Sequence, residues 1–254
     1  MLPPDIMPKL VALALEAGEV TLRYYEAGVE VRAKDDRSPV TAADEAAEAV
    51  ILKGLATLAP GIPVVAEESV AKGEVPEVEG RFWLVDPLDG TKEFIHQRGE
   101  FTVNIGLIED GLPVLGVVVA PAMNTLWWGR VGEGATKRDA GGERAIEARP
   151  VPSSGAIAVA SRSHRDEATN GWLARMGIQD TVSAGSSLKF CLVAEGAADW
   201  YPRFGPTMEW DTAAGHAVLR AAGGEVRLPD GKPFAYKKPD FRNGRGFIAS
   251  GRRG

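Results

Sequence analysis

Cysteine is almost missing from this sequence, since Cys191 is the only one among 254 residues. A single thiol excludes an internal disulfide and a cysteine-based zinc site. Long apolar runs are missing too: none approaches the roughly 18 residues that a transmembrane helix needs, and residues 1–10 lack the pattern of a signal peptide. We therefore expect a cytoplasmic protein without a transmembrane segment, and leave peripheral membrane association open.

Positive charge is also in short supply. The chain has 29 lysines and arginines against 35 acidic residues, which gives a net charge of −6. Proteins that bind nucleic-acid polymers usually present a basic face, so no such polymer is expected as a partner. A small anionic molecule stays compatible, because metal ions can offset its charge locally. The sequence leaves open whether two copies form a homodimer.

Hydrophobic periodicity divides the chain into two halves. The first half, residues 1–152, is predicted to be α+β and to carry most of the site; the second, residues 153–254, is predicted to be α/β. The predicted helices cover residues 6–26, 42–58, 165–176, 187–195 and 211–222. The predicted strands cover residues 62–65, 82–85, 101–107, 114–119, 125–131, 157–160, 181–183 and 198–201. The Gly-rich stretch 132–142 is predicted to be a loop.

Residues 86–91, Asp-Pro-Leu-Asp-Gly-Thr, follow an apolar strand. Asp86 and Asp89 lie around a tight turn and can share a hard cation, with the Leu88 carbonyl between them as a further oxygen ligand. The backbone N–H groups that follow begin a short predicted helix and can bind phosphate. An Asp-Pro turn with an aspartate N-cap explains the same residues without any ligand.

Other acidic residues occupy comparable positions. Glu67 follows a predicted strand, whereas Asp44 and Asp211 begin predicted helices. Each has a plain alternative, a solvated loop for the first and helix caps for the others. Together they place acids at strand ends and helix starts, where α/β enzymes build their sites. Since no Ser/His/Asp set or reactive cysteine stands out, the residues favour metal-activated water over a covalent route.

Three segments, in this order and spacing, resemble the signature motifs of the inositol monophosphatase-like superfamily. They are residues 67–69, residues 86–91, and residues 210–214 followed by 222–224. The agreement extends from about residue 10 to 250. The resemblance implies a five-layered αβαβα sandwich and a Mg²⁺-dependent, lithium-sensitive phosphatase that binds two or three Mg²⁺ ions.

The resemblance also implies roles for individual residues. The implied metal ligands are Glu67, Asp86, the Leu88 carbonyl, Asp89 and Asp211. Gly90 and Thr91 are implied to contact the phosphate of the substrate. Four of the implied metal ligands are implied to contact the substrate as well: Glu67, Leu88, Asp89 and Asp211. Asp44 and the Thr91 hydroxyl are implied to orient and activate the attacking water.

Further segments resemble one subgroup, the 3′(2′),5′-bisphosphate nucleotidases of the CysQ type, which act in sulfur metabolism. They are residues 92–94, 161–164, 185–196 and 201–207. The subgroup implies hydrolysis of 3′-phosphoadenosine 5′-phosphate to AMP and phosphate, with the nucleotide held by His164, Ser186, Lys189 and Arg203. Inositol 1-phosphate or a sugar bisphosphate stays open as the substrate, as does a non-catalytic nucleotide or metal sensor.

Overall fold

The structure is a computed structural model that describes residues 2–27, 31–33, 39–161 and 166–252. Within these ranges the α-helices are α1 (Ile6–Ala27), α2 (Ala42–Leu58), α3 (Glu67–Ala71), α4 (Thr91–Ile95), α5 (Glu167–Arg175), α6 (Leu188–Ala194) and α7 (Trp210–Ala221). A short 3₁₀ helix covers Pro121–Met123. The helix predicted over residues 42–58 is confirmed at both ends. None of the described helices is long and apolar enough to cross a membrane.

Two large sheets contain most of the described strands. The first comprises β3 (Val64–Ala66), β4 (Arg81–Asp89), β5 (Thr102–Glu109), β6 (Leu112–Ala120), β7 (Thr125–Arg130), β8 (Gly134–Asp139) and β9 (Gly142–Ile146), hydrogen-bonded in that order. The second comprises β10 (Ile157–Ser161), β11 (Asp180–Ala184), β12 (Trp200–Arg203), β13 (Glu225–Arg227) and β14 (Phe247–Ser250). Its order is β11-β10-β12-β14-β13. A separate antiparallel pair joins β1 (Val31–Ala33) to β2 (Pro39–Thr41).

These elements stack in an αβαβα order. Helices α1 and α2 cover one face of the seven-stranded sheet, and α7 packs on its other face. Helix α6 lies beside α7 and contacts β10, β12 and β14, so the two helices fill the space between the sheets. Helix α5 packs against β12 on the outer face of the second sheet, through a small apolar cluster that includes Trp172 and Trp200. The layered fold expected from the sequence is confirmed.

Strand alternation decides which way the acids of β4 face. Trp83 and Val85 pack with α1 and α2, whereas Phe82 and Leu84 belong to the larger apolar cluster between the sheets. Because side chains in a strand alternate between faces, Asp86 follows Leu84 onto the interior side. The strand therefore delivers a carboxylate into the space that α7 also enters.

Helix α7 lies very close to the sheet. It is buried on nearly every side, as expected for a helix between two sheets. A Cβ atom at Gly106 in β5 would lie 2.8 Å from the backbone nitrogen of Ala214, and one at Gly116 in β6 would collide with the Ala214 carbonyl oxygen. Glycine at these two positions permits the close approach that carries Asp211, in the first turn of α7, to the end of β4.

The prediction of a loop over residues 132–142 is wrong, because β8 and the β8–β9 turn lie there. The two strands form a hairpin at the edge of the first sheet, held by the hydrogen-bond ladder to β7. Only Ala135 in β8 and Ile146 in β9 are buried, so the segment shows no apolar alternation in its sequence. The boundary between halves at residues 152/153 stays a prediction.

Candidate active site

Three carboxylates from distant parts of the chain converge at one point. Glu67 is the first residue of α3, Asp86 lies in β4 and Asp211 lies in the first turn of α7. Each offers a carboxylate oxygen, and these oxygens all lie within 4.8 Å of one another. We call these three residues the acidic cluster.

Burial and mutual repulsion raise the pKa values of two carboxylates in this cluster. Burial raises the pKa of Asp86 well above its ordinary value, and the nearby charges of Glu67, Asp89 and Asp211 raise it further. The pKa of Asp211 is raised well above its ordinary value by burial and then by Asp89 and Glu67. Three crowded oxygen donors fit a hard divalent cation, which would favour the ionised form of each.

A side-chain hydrogen bond within residues 86–88 stabilises the turn after Asp86. The Asp86 Oδ1 atom accepts a hydrogen bond of 3.0 Å from the Leu88 backbone N–H, which closes the turn. The pairing with β5 shifts there: Asp86 is opposite Asn104 and Asp89 is opposite Thr102, so β4 carries an extra residue in a β-bulge. Bulges redirect side chains, and this one brings both aspartates to the same end of the strand.

Asp89 does not join the three oxygens of the acidic cluster. Its Oδ2 atom accepts a hydrogen bond of 3.2 Å from the Ser187 hydroxyl, just before α6. Burial raises the pKa of Asp89, while the Lys189 ammonium and the Ser187 hydrogen bond oppose the shift. Asp89 therefore connects the end of β4 to the segment just before α6.

Glu48 is a residue of this region that the sequence reasoning missed. It lies one turn after Asp44 in α2 and is buried. Its carboxylate accepts hydrogen bonds from the Glu68 backbone N–H at 2.8 Å and from the Ser69 hydroxyl at 2.6 Å. These bonds anchor the first turn of α3, and so they fix the backbone that carries Glu67. The four-residue spacing from Asp44 was the signal available in the sequence.

A cleft of about 360 Å³ opens over the acidic cluster. The predicted site residues that line it are Asp44, Glu67, Asp89, Gly90, Thr91, Ser186, Lys189, Arg203 and Asp211. Asp86 lies beneath it, and the Leu88 side chain is buried among Ala43, Phe94 and Phe101. His164 falls outside the described residues.

The junction between β4 and α4 requires glycine. Gly90 has a φ of 93°, in the left-handed region that favours glycine. A Cβ atom there would also lie 3.1 Å from the Glu100 carbonyl oxygen and 3.3 Å from the Ser186 Cβ. Thr91 then begins α4 and lines the cleft. Gly90 thus lets the segment around residue 186 approach the phosphate-binding turn predicted from the sequence.

Two cations, Lys189 and Arg203, line the same cleft as Glu67 and Asp211 of the acidic cluster. Lys189 is buried, donates a hydrogen bond to the Ser186 carbonyl, and holds its ammonium 5.4 Å from the centre of the Tyr201 ring. The pKa of Lys189 is lowered to about 8, chiefly by burial; the Asp89 charge opposes this shift and the Arg203 charge adds to it. The Arg203 guanidinium donates to the Pro206 carbonyl at 3.3 Å. An anion placed here would relieve the repulsion between the two cations.

Further polar residues that the sequence reasoning missed hold the segment before α7. Glu209 is completely buried, and its carboxylate accepts from the backbone N–H groups of Lys237 and Lys238 and from the Lys238 ammonium, each at 3.0 Å. The Asn243 amide donates to the Met208 carbonyl at 2.9 Å. These partners lie roughly 30 positions apart, so no local pattern could reveal them.

Comparisons with known proteins find similar proteins in one family. The sequence profile described as "Inositol monophosphatase family" matches residues 5–252. The 3′(2′),5′-bisphosphate nucleotidase CysQ of Shigella flexneri is 49% identical over 96% of this chain and 99% of the relative. The structure of CysQ from Bacteroides thetaiotaomicron has a TM-score of 0.82, with 39% identity over 98% of both chains. The inositol monophosphatase of Anabaena has a TM-score of 0.77, with 30% identity over 97% of this chain and 90% of the other.

Proposed function

The chain belongs to the inositol monophosphatase family, and from this premise we propose that it hydrolyses the 3′-phosphate of 3′-phosphoadenosine 5′-phosphate. The products are AMP and inorganic phosphate, and the activity is that of a 3′(2′),5′-bisphosphate nucleotidase. Relatives with that name match this chain over nearly its whole length, which supports the assignment. Inositol 1-phosphate and sugar bisphosphates are the competing substrates.

One observation carries the choice of substrate. Glu67 and Asp211 of the acidic cluster line the same cleft as the Lys189 and Arg203 cations. A cation-binding carboxylate group suits one phosphate, and a pair of basic side chains suits a second phosphate. A nucleotide with phosphates on two carbons of its ribose meets both requirements, whereas an inositol monophosphate meets only the first.

We propose Mg²⁺ as the metal, in two or three copies. The acidic cluster, Asp89 and the Leu88 carbonyl would hold it, since hard oxygen donors suit Mg²⁺ better than zinc. When bound, the cations would supply positive charge that offsets repulsion between the phosphate and the attacking water and stabilises the leaving oxygen. A homodimer and a cytoplasmic location stay predictions.

The chain's own residues then orient the reactants. Asp44 and the Thr91 hydroxyl line the same cleft, and we assign them to position the water and take up its proton. The water oxygen bonds to phosphorus as the bond to the 3′-oxygen breaks, and the leaving oxygen gains a proton. Gly90 and Thr91 contact the transferred phosphate through their backbone N–H groups. Ser186, Lys189, Arg203 and, by resemblance, His164 hold the nucleotide.

The test compares phosphate release from 3′-phosphoadenosine 5′-phosphate, inositol 1-phosphate and fructose 1,6-bisphosphate. Each charge-assisted contact contributes roughly 1.5–3 kcal/mol. Removing one cation, in Lys189→Ala or Arg203→Ala, should therefore lower kcat/KM for the nucleotide by about 10- to 100-fold. Turnover of inositol 1-phosphate should change little, because it places no second phosphate near these residues.

Lys53→Ala provides the control for loss of a positive charge. Lys53 is exposed on α2, in the outer helical layer, and should leave all three substrates unaffected. Equal efficiency of the parent on the nucleotide and on inositol 1-phosphate would contradict the substrate assignment. A parallel loss of both activities in the cleft variants would contradict the role of these cations in selecting the nucleotide.

A further inference from the structure

Two buried polar side chains on β5 form no hydrogen bonds within the described part of the chain. Thr102 and Asn104 are both fully buried. The Asn104 amide nitrogen and oxygen and the Thr102 hydroxyl form no hydrogen bond with any residue that the structure describes. Buried polar atoms without partners cost free energy, and most such atoms in native proteins are satisfied by protein or by ordered water. Three such atoms on one strand therefore need an explanation.

The strand register shows what these side chains face. Asn104 pairs directly with Asp86, and Thr102 pairs with Asp89. Residues directly opposite each other in an antiparallel pair point to the same face, with Cβ atoms about 5 Å apart. The neighbouring Val103 packs on the opposite face with α1 and α2. Asn104 and Thr102 therefore point to the interior face, beside the carboxylates proposed to hold the cation.

Packing alone does not require polarity at these positions. The interior face of β5 continues to Gly106, which contacts α7, and to Ile108 in the apolar cluster. A leucine at position 104 would add apolar surface to that cluster and remove two unsatisfied atoms. Stability thus favours an apolar residue, and retention of a costly polar residue next to a site points to a role in that site.

We propose that Asn104 is a positioning residue for the metal site, with Thr102 in support. The Asn104 amide donates a hydrogen bond to one buried water, which in turn donates to the Asp86 carboxylate and holds it towards the cation. Thr102 acts in the same way on Asp89. The inference rests on the proposed metal-dependent function. It adds a group behind the metal ligands, and such groups change metal affinity by about 10- to 100-fold when they are removed.

The experiment measures metal binding and stability separately, without substrate. Isothermal titration calorimetry with Mg²⁺ gives the dissociation constant for the parent, Asn104→Leu and Thr102→Val. Thermal unfolding in EDTA gives the stability of each metal-free protein. We expect the Mg²⁺ dissociation constant to rise at least 10-fold in Asn104→Leu and less in Thr102→Val. We expect the metal-free midpoint of Asn104→Leu to equal or exceed that of the parent.

Ser250→Ala is the matched control. Ser250 is also fully buried and its hydroxyl also lacks a partner among the described residues, but it lies in β14, opposite Trp200 and Glu225. Its removal should leave Mg²⁺ binding unchanged. Thr102→Val keeps the side-chain shape, so it tests the idea even where leucine at position 104 prevents folding.

Three outcomes would overturn the inference, and they differ in what else they affect. Normal Mg²⁺ binding by the parent, with the same dissociation constant in both variants, overturns the positioning role alone. A parent that binds no Mg²⁺ overturns the proposed metal site, and the positioning role with it. A lower metal-free stability in Asn104→Leu, with unchanged Mg²⁺ binding, assigns Asn104 to the structure instead.

Discussion

Replacement of Glu48 by alanine should weaken both the fold around α3 and the binding of metal. The Glu48 carboxylate accepts from the Glu68 backbone N–H and from the Ser69 hydroxyl. Alanine leaves both donors without this acceptor, and a buried donor left unsatisfied costs about 1–3 kcal/mol. Ser69 is only partly buried and can recover some hydration. We therefore expect a loss of about 2–4 kcal/mol in the free energy of unfolding.

The same substitution should affect the active site through Glu67. The lost anchor holds the first turn of α3, where Glu67 is the first residue. Groups that orient a metal ligand typically change metal affinity or activity by about 10- to 100-fold. The assay is thermal unfolding in EDTA together with the Mg²⁺ concentration that gives half-maximal phosphate release. The unfolding midpoint should fall by roughly 4–16 °C, at about 2–4 °C per kcal/mol for a chain of this size.

The charge of Glu48 should matter less than its hydrogen bonds. Burial raises the pKa of Glu48 above its ordinary value of 4.5, although the bonds from Ser69 and Glu68 oppose the shift. An acid whose pKa is raised by folding contributes most to stability below its unfolded pKa, and loses that contribution as the pH rises through the folded pKa. Glu48→Gln resembles the neutral form and should match the parent at pH 7 far better than Glu48→Ala does.

Glu45→Ala supplies the control, because Glu45 also connects α2 to the region of α3, but through an exposed ion pair. Its carboxylate forms a 3.2 Å ion pair with Lys72, just after α3, but both side chains are about half exposed. Exposed ion pairs contribute about 0–1 kcal/mol, so this variant should resemble the parent. A Glu48→Ala protein with the parent's unfolding midpoint and Mg²⁺ requirement would refute the anchoring role. A Glu48→Gln protein as impaired as Glu48→Ala would show that the charge, and not the hydrogen bonds, is what matters.

Three further predictions follow from the site and the packing. Asp89→Asn keeps the side-chain shape but removes a proposed metal ligand, so the rate of phosphate release should fall by about three decades or more. EDTA should abolish phosphate release by the parent, and full activity in EDTA would contradict the proposed chemistry. Since the pKa of Lys189 is about 8, Lys189 is charged below that pH and loses its charge above it. The ratio of kcat/KM for the nucleotide to that for inositol 1-phosphate should therefore fall as the pH rises through about 8, while Lys189→Arg should keep the ratio constant. Gly106→Ala places a methyl group 2.8 Å from the Ala214 nitrogen, and should lower the free energy of unfolding by roughly 1–3 kcal/mol; an unchanged denaturation midpoint would show that α7 can move away.

The sequence by itself predicted every described α-helix except α3, and it also determined the positions of the acids along the chain. The apolar period of α2 predicted both of its ends, and the predicted helix start located Asp211. The strand end predicted at residue 85 is wrong, because β4 continues through the bulge and contains both Asp86 and Asp89. The resemblance supplied roles for these residues and the layered fold. These results depend on local periodicity and on the spacing of motifs, which are properties of a contiguous segment.

The tertiary structure determined which of these local elements contact one another. The β8–β9 hairpin exists because its backbone bonds to β7 at a sheet edge, where side chains are mostly exposed and carry no pattern. The convergence of Glu67, Asp86 and Asp211 depends on how closely α7 packs on the sheet, and Gly106 and Gly116 reveal that packing only once the helix is in place. The Glu48 anchor and the unpaired amide of Asn104 likewise depend on contacts between separate elements. Such contacts join residues far apart in the chain, so their geometry is fixed only when the layers assemble.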